Sequence, residues 1–289
     1  LILMIKIKFF SDFCDNSNCK KMIEYCCNAS SLDFYGVDKS IYIVDNDDND
    51  YTHAIILNKA MPILNIQKQN VIGLAYEPYD FLKINQEFID YAEKNISKYF
   101  IGDKKNLSEP FVEYFGYMWF IRPPKIITLP AKKKIMSIVL SAKKFAAPGH
   151  KYRHELVKSI IKSNLPIDIF GRGSNEYKGL SKHVKGEFIH AEPYEDYLYT
   201  ICIENFMSKH YFSEKIINPI MYNCCPIYNG CLNIDKYFEN IILLSGHLNY
   251  DILLLTQIFR NPLKYYTNMF NEKNEKTVNL LKNIEKLYL

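Results

Sequence analysis

No apolar run in this chain of 289 residues approaches the about 20 consecutive residues that a membrane-spanning helix needs. Glycine and proline are scarce, at 11 and 12 residues, which excludes collagen-like and low-complexity architectures. There is one tryptophan, yet aromatics reach 15% and hydrophobic residues 48%. That is enough apolar surface for real cores and too much for a disordered chain. Neither sign of charge is in excess, with 36 basic and 32 acidic side chains and a formal net charge of +4. That balance is too even to argue for a nucleic-acid binder, which would need a basic stripe. None of the eight cysteines forms a CxxC pair, and adjacent pairs such as Cys26-Cys27 do not suit a disulfide framework. They read as reduced thiols packed as small core residues, with a zinc site from Cys14, Cys19 and a histidine as the alternative. The first ten residues alternate lysine with apolar side chains and read as a strand, not as a signal peptide. The expectation is a soluble, cytoplasmic protein. The Asn-x-Ser sequons at Asn28, Asn95 and Asn106 are what chance supplies in an Asn-rich chain.

The length suits one large domain or two medium ones. Short apolar runs at 5–10, 41–44, 53–58, 71–76 and 98–101 read as strands, with helical spacing at 17–27 and 86–96. Continuous apolar strands suit a parallel sheet covered on both faces. Residues 121–134 hold three prolines and a basic run and read as a linker. The alternation then restarts, with strands at 135–141, 167–170, 199–204 and 225–228. Helices are expected at 151–163, 213–223, 249–259 and 274–287. The expected class is α/β, with two Rossmann-like domains facing a cleft: residues 1–125, residues 126–270 and a C-terminal helix over 271–289.

The acidic loop Asp45-Asn-Asp-Asp-Asn-Asp50 has enough carboxylates for a hard cation but lacks the glycine and closing glutamate of an EF-hand. A solvated polar turn is the plainer reading. Further on, a Pro-Gly turn follows a strand and opens a helix near Lys151, and a helix N-terminus in that setting is an anion site. Arg153 shares the apolar face of Leu156 and Val157, so its guanidinium needs either a phosphate or an internal partner. His150 and His154, one turn apart, lack the third ligand of a zinc site and read as surface histidines. Residues 199–205 deliver Glu204 and Asn205 to a strand end. Ser213 caps the next helix, Glu214 sits where a carboxylate is favoured, and Lys215 is disfavoured there unless it meets an anion. Strand, polar end, helix start, strand and glycine make a nucleotide site in a doubly wound domain.

Three segments carry a resemblance. Ile203-Glu-Asn205, Tyr211-Phe-Ser-Glu-Lys-Ile216 and Pro226-Ile-Tyr-Asn-Gly230 resemble the signature of the α1,3/4-fucosyltransferases, glycosyltransferase family 10. Upstream, Arg153 and Ile167-Asp-Ile-Phe-Gly171 resemble the donor-domain segments of that family, and Ala75-Tyr-Glu-Pro-Tyr79 resembles its acidic motif. The resemblance implies a GT-B fold, with GDP-fucose in the second domain and the acceptor in the first. Carried over by position, it implies that Arg153 and Lys215 grip the pyrophosphate. Glu214 and Tyr211 would meet the ribose region, Asn205 the sugar or phosphate, and Glu77 would be the general base. The chain departs from the family pattern at Leu198, Phe206 and His210, positions expected beside the sugar end of the donor site.

The implied function is inverting transfer of fucose from GDP-fucose to a glycan hydroxyl, by a bacterial or viral type of enzyme. No metal is obligatory, and Mg²⁺ or Mn²⁺ would at most stimulate. The alternatives are the same machinery with another nucleotide sugar, or a glycan- or nucleotide-binding protein without turnover.

Overall fold

The computed structural model describes residues 5–27, 41–116, 132–269, 271, 273–274 and 288. By its internal contacts the chain forms two units: residues 1–122, 208–213 and 278–289, and residues 123–207 and 214–277. The chain therefore re-enters the first unit for six residues, 208–213, which include the first three residues of the motif segment at 211–216. Most of the linker expected at 121–134, the sequon at Asn28, and the C-terminal helix apart from residues 271, 273, 274 and 288 lie outside the described residues.

The first unit contains β1 (Ile5–Ser11), α1 (Asn16–Cys27), β2 (Ile41–Ile43), β3 (His53–Leu57), β4 (Val71–Leu74), α2 (Tyr79–Leu82), α3 (Gln86–Asn95), β5 (Lys98–Ile101) and β6 (Phe111–Glu113). The strands form one parallel sheet in the order β2-β1-β3-β4-β5-β6. Apolar residues alternate to its two faces. Ile7, Phe9, Ile55, Leu57, Ile72 and Leu74 fill one core. Ala54, Ile56, Val71, Tyr99 and Ile101 fill the other, with Phe88 and Ala92 of α3. Both faces being buried explains why these strands read as unbroken apolar runs. Asn85 caps α3, its side chain accepting from the Phe88 N–H at 3.1 Å.

The second unit contains β7 (Lys134–Val139), α4 (Pro148–Lys162), β8 (Asp168–Phe170), β9 (Val184–Gly186), α5 (Glu192–Glu195), β10 (Tyr197–Ser208), α6 (Glu214–Met221), β11 (Cys225–Cys231), β12 (Ile242–Leu243), α7 (Leu248–Arg260) and α8 (Pro262–Tyr265). Its sheet runs β12-β11-β10-β7-β8-β9. Numbered by appearance within the unit, this is the 3-2-1-4-5-6 order of dinucleotide-binding folds. The strand order reverses between β7 and β10, and ligands bind such sheets beyond the carboxyl ends of that pair. In register, Ile201 of β10 stands opposite Ile138 of β7, so Glu204 and Asn205 project past the end of β7.

The acidic loop has an internal cation. Lys8, buried in β1, donates from Nζ to the carbonyls of Asn46 at 2.9 Å and Asp48 at 2.8 Å. Lys6 pairs with Asp50, and Lys20 with Asp45 at 2.8 Å. Lys6 and Lys8 reach the same loop because residues two apart share a strand face. The zinc alternative at Cys14 and Cys19 does not fit either. Their sulfurs are 3.0 Å apart, whereas two thiolates on one tetrahedral zinc stand about 3.8 Å apart at the usual bond length. Lys8→Met is expected to cost about 2–3 kcal/mol, since the charge-assisted hydrogen bonds of a buried lysine to two loop carbonyls are lost. Added Ca²⁺ is expected to leave the wild-type melting temperature unchanged, and thermal denaturation with and without Ca²⁺ measures both.

Candidate functional site

The start of α4 packs directly on the end of β10. A Cβ on Gly149 would lie 1.8 Å from the Glu204 carbonyl oxygen, so only glycine permits that approach. The approach brings Arg153, on the next turn, to Asn205. Its Nη2 donates to Asn205 Oδ1 at 2.6 Å and its Nε to the Gly149 carbonyl at 3.2 Å, with 6% of the residue exposed. Both expected donor residues therefore stand together at the switch point of the sheet. The N-cap, Ala147, has no side-chain acceptor, and the first turn of α4 carries no acid. An anion placed there would meet the positive end of a helix with nothing of the chain's own neutralising it in that turn.

The start of α6 brings a second set to the same unit. Lys215 Nζ lies 3.0 Å from Glu214 Oε1 and 3.5 Å from Glu204 Oε2, the Glu204 side chain being fully buried. Burial works against the Lys215 charge, but Glu214 and Glu204 outweigh it and hold the ammonium above its ordinary pKa. Arg153 pushes in the opposite direction, so the two cations share one electrostatic neighbourhood. Lys215 thus meets two anions of the chain, the adjacent Glu214 and the buried Glu204, a residue the sequence placed at the strand end without giving it a role. The signal for it lay in Gly230. A Cβ there would sit 2.4 Å from Glu204 Cγ and 2.5 Å from the Tyr228 hydroxyl.

Glu77 and Tyr211 are brought together in the first unit, the Tyr211 hydroxyl donating to Glu77 Oε2 at 3.2 Å. Glu77 follows the carboxyl end of β4, which stops at Leu74, two residues short of the expected end. Asn58 braces this loop. Its side chain accepts from the Tyr76 N–H at 2.9 Å, its N–H donates to the Leu74 carbonyl at 3.0 Å, and its carbonyl accepts from the Tyr99 hydroxyl at 2.7 Å. Asn58 does this at φ 51°, a left-handed conformation that asparagine tolerates.

Other expectations change. His154 and His150 are buried rather than on the surface. His154 Nε2 lies 2.9 Å from the Ser141 carbonyl and Nδ1 2.9 Å from the Tyr177 hydroxyl. A carbonyl only accepts, so Nε2 carries the hydrogen and Nδ1 accepts from tyrosine, leaving neither nitrogen for zinc. Among the described residues no group of three or more His, Cys, Asp or Glu side chains could hold a metal ion. Leu198 occupies the amino end of β10, six residues before Glu204, which is roughly 20 Å along a strand. His210 belongs to the first unit, where it pairs with Glu113 at 3.2 Å. Glu204→Ala should leave the Lys215 charge without its buried partner and cost about 3 kcal/mol. Gly230→Ala should destabilise by displacing the same carboxylate. Chemical denaturation of both variants tests this, and a wild-type midpoint in either would contradict it.

Comparison with known proteins agrees with the second unit in particular. Residues 129–247 match the family model described as Glycosyltransferase family 10 (fucosyltransferase) C-term. No curated protein matches the chain. Among solved structures, a crystal structure of an alpha1,3-fucosyltransferase with GDP-fucose is similar at a TM-score of 0.58 and 14% identity, over 98% of this chain and 89% of that one. A second, of an alpha1,3-fucosyltransferase with GDP, has a TM-score of 0.53 and 11% identity over 98% and 92%. A third, of an alpha1,3-fucosyltransferase, has 0.54 and 11% over 98% and 91%. At such identities the likeness concerns the fold, two Rossmann-like units of the GT-B type. No helix among the described residues is long and apolar enough to cross a membrane. Over residues 129–247, which lie mainly in the second unit, the chain is similar to the C-terminal domain of glycosyltransferase family 10, the fucosyltransferases.

Proposed function

We propose that this glycosyltransferase moves fucose from GDP-fucose to a glycan hydroxyl with inversion at the anomeric carbon. Residues 126–270 act as the nucleotide-sugar domain and residues 1–125 as the acceptor domain. The observation that carries the reading is the Arg153–Asn205 pair at the switch point of a 3-2-1-4-5-6 sheet, beside Lys215. The GDP-fucose and GDP named with two of the similar structures support the choice of donor. Arg153 and Lys215 bind the diphosphate, Asn205 the sugar or its phosphate, and Glu214 and Tyr211 the ribose region.

In an inverting transfer the acceptor hydroxyl attacks the anomeric carbon from the side opposite the leaving GDP. The hydroxyl proton goes to Glu77, whose other role is to accept from Tyr211, so the carboxylate is oriented before substrate arrives. Negative charge gathers on the departing diphosphate. The two cations and the start of α4 stabilise it. Six free thiols among the described residues fit a reducing compartment, and we place the enzyme in the cytoplasm.

Glu77→Gln should lower turnover by about 10²–10⁴-fold, the usual worth of a positioned base, while GDP binding stays as in the wild type. Arg153→Ala should instead weaken GDP binding by about 10–150-fold, as loss of a charged hydrogen bond worth about 1.5–3 kcal/mol requires. Titration calorimetry and a transfer assay separate the two. A panel of nucleotide sugars read by thermal shift tests the donor, since a ligand at a hundred times its Kd stabilises by about 2.7 kcal/mol. A response to a UDP- or dTDP-sugar with none to GDP-fucose would replace the donor, and binding without transfer to any glycan would make the chain a binding protein.

A further inference from the structure

His150 stands at the third position of α4, with 7% of the residue exposed and its Nδ1 buried without a hydrogen-bond partner. A buried nitrogen left in that state is costly, and native structures seldom keep one unless a ligand or function uses it. The charges that act most on it are of one sign. Arg153 faces it from α4, Lys143 from the loop between β7 and α4, and Lys215 from α6, with the His154 imidazole also on α4. The carboxylates of the same elements pair with Lys215: Glu204 of β10, whose main chain packs against the neighbouring Gly149, and Glu214 of α6. Helix start, three fixed cations and an imidazole with an unused nitrogen form a cradle for an oxyanion rather than for a cation.

We propose that His150 is a further ligand of the donor's diphosphate and takes up a proton as that anion binds, so that donor binding strengthens as the pH falls. The inference rests on the donor-site reading above. In the free protein, burial first and then Arg153, Lys143, Lys215 and His154 push the imidazole down to about 4, so it is neutral near pH 7. Diphosphate oxygens only accept hydrogen bonds. A neutral imidazole has one N–H to offer and a charged one has two. An anion that neutralises the neighbouring cations removes the repulsion that kept the ring uncharged. The bound state then has the higher pKa and holds more protons. Affinity therefore rises as the pH falls through the bound-state pKa, and levels off below about 4, where both states are protonated.

The test is titration calorimetry with GDP-fucose, whose diphosphate diester does not itself titrate between about pH 5.5 and about pH 7.5, across the histidine range. Buffers of different ionisation enthalpy count the protons exchanged. The expected result is binding at least ~3-fold tighter at the lower pH with net proton uptake, each pKa unit gained on binding being worth up to about tenfold. Both effects should vanish in His150→Gln and in His150→Asn, each checked for an intact fold by its ligand-free melting curve. The imidazole resonance of His150, followed by NMR with and without the nucleotide sugar, reports the same protonation without a variant. A flat pH dependence in the wild type, a slope that survives in both variants, or an unmoved resonance overturns the proposal. Failure of GDP-fucose alone, with His150-dependent proton uptake on UDP-glucose, overturns the donor and leaves the proposal standing. Binding of neither overturns both.

Discussion

A single buried carboxylate organises the second unit. The Glu204 side chain is fully buried, and its compensating charge is Lys215 on the following helix. A charge in that position costs far more than the pair returns unless the surroundings hold its geometry. Two glycines do so. Gly149 lets α4 close onto the Glu204 main chain, and Gly230 lets β11 close onto its side chain. The same closure delivers Arg153 to Asn205, one residue beyond Glu204. Three elements are fixed around one acid, and the polar groups facing the end of β7 follow from that arrangement.

The regular elements were legible because burial on both faces imposes a pattern that sequence cannot hide. Runs such as Val71–Leu74 have no polar alternative. The strands that escaped reading are β6, β9 and β12, of two or three residues each, at or next to a sheet edge. A segment that short has no period, and its pairing comes from neighbours already in place, as when Tyr99 and Phe111 stack edge to face across β5 and β6. The acidic loop was half legible. Lys6 and Lys8 alternate along β1 and so share a face, but nothing local says that this face meets residues 45–50.

The site was legible mainly through its resemblance, since its contacts are distant along the chain. Arg153 and Asn205 are 52 residues apart, and Tyr211 and Glu77 are 134 apart. No periodicity announces such pairs. What local reasoning did supply was a demand: an arginine on an apolar helix face and a lysine at a helix start each need a partner. The partners proved to be Asn205 for one and Glu204 with Glu214 for the other. β10 runs for 12 residues, far past the mean for a strand, so Leu198 and Glu204, close in sequence, stand far apart along it.

The departure of the chain into the first unit at 208–213 imposes a further constraint. The segment is anchored there by the His210–Glu113 pair, by the stacking of Phe212 on Phe115 and by the approach of the Lys209 carbonyl to Gly102, where a Cβ would lie 2.6 Å away. Its last residue, Ser213, is followed at once by Glu214 and Lys215. Tyr211, which hydrogen-bonds to Glu77, and the Glu214–Lys215 pair thus lie within five residues of one another in sequence, the first in one unit and the second in the other. The motif at 211–216 therefore works as a single element, and its sequence answers to two sets of contacts at once.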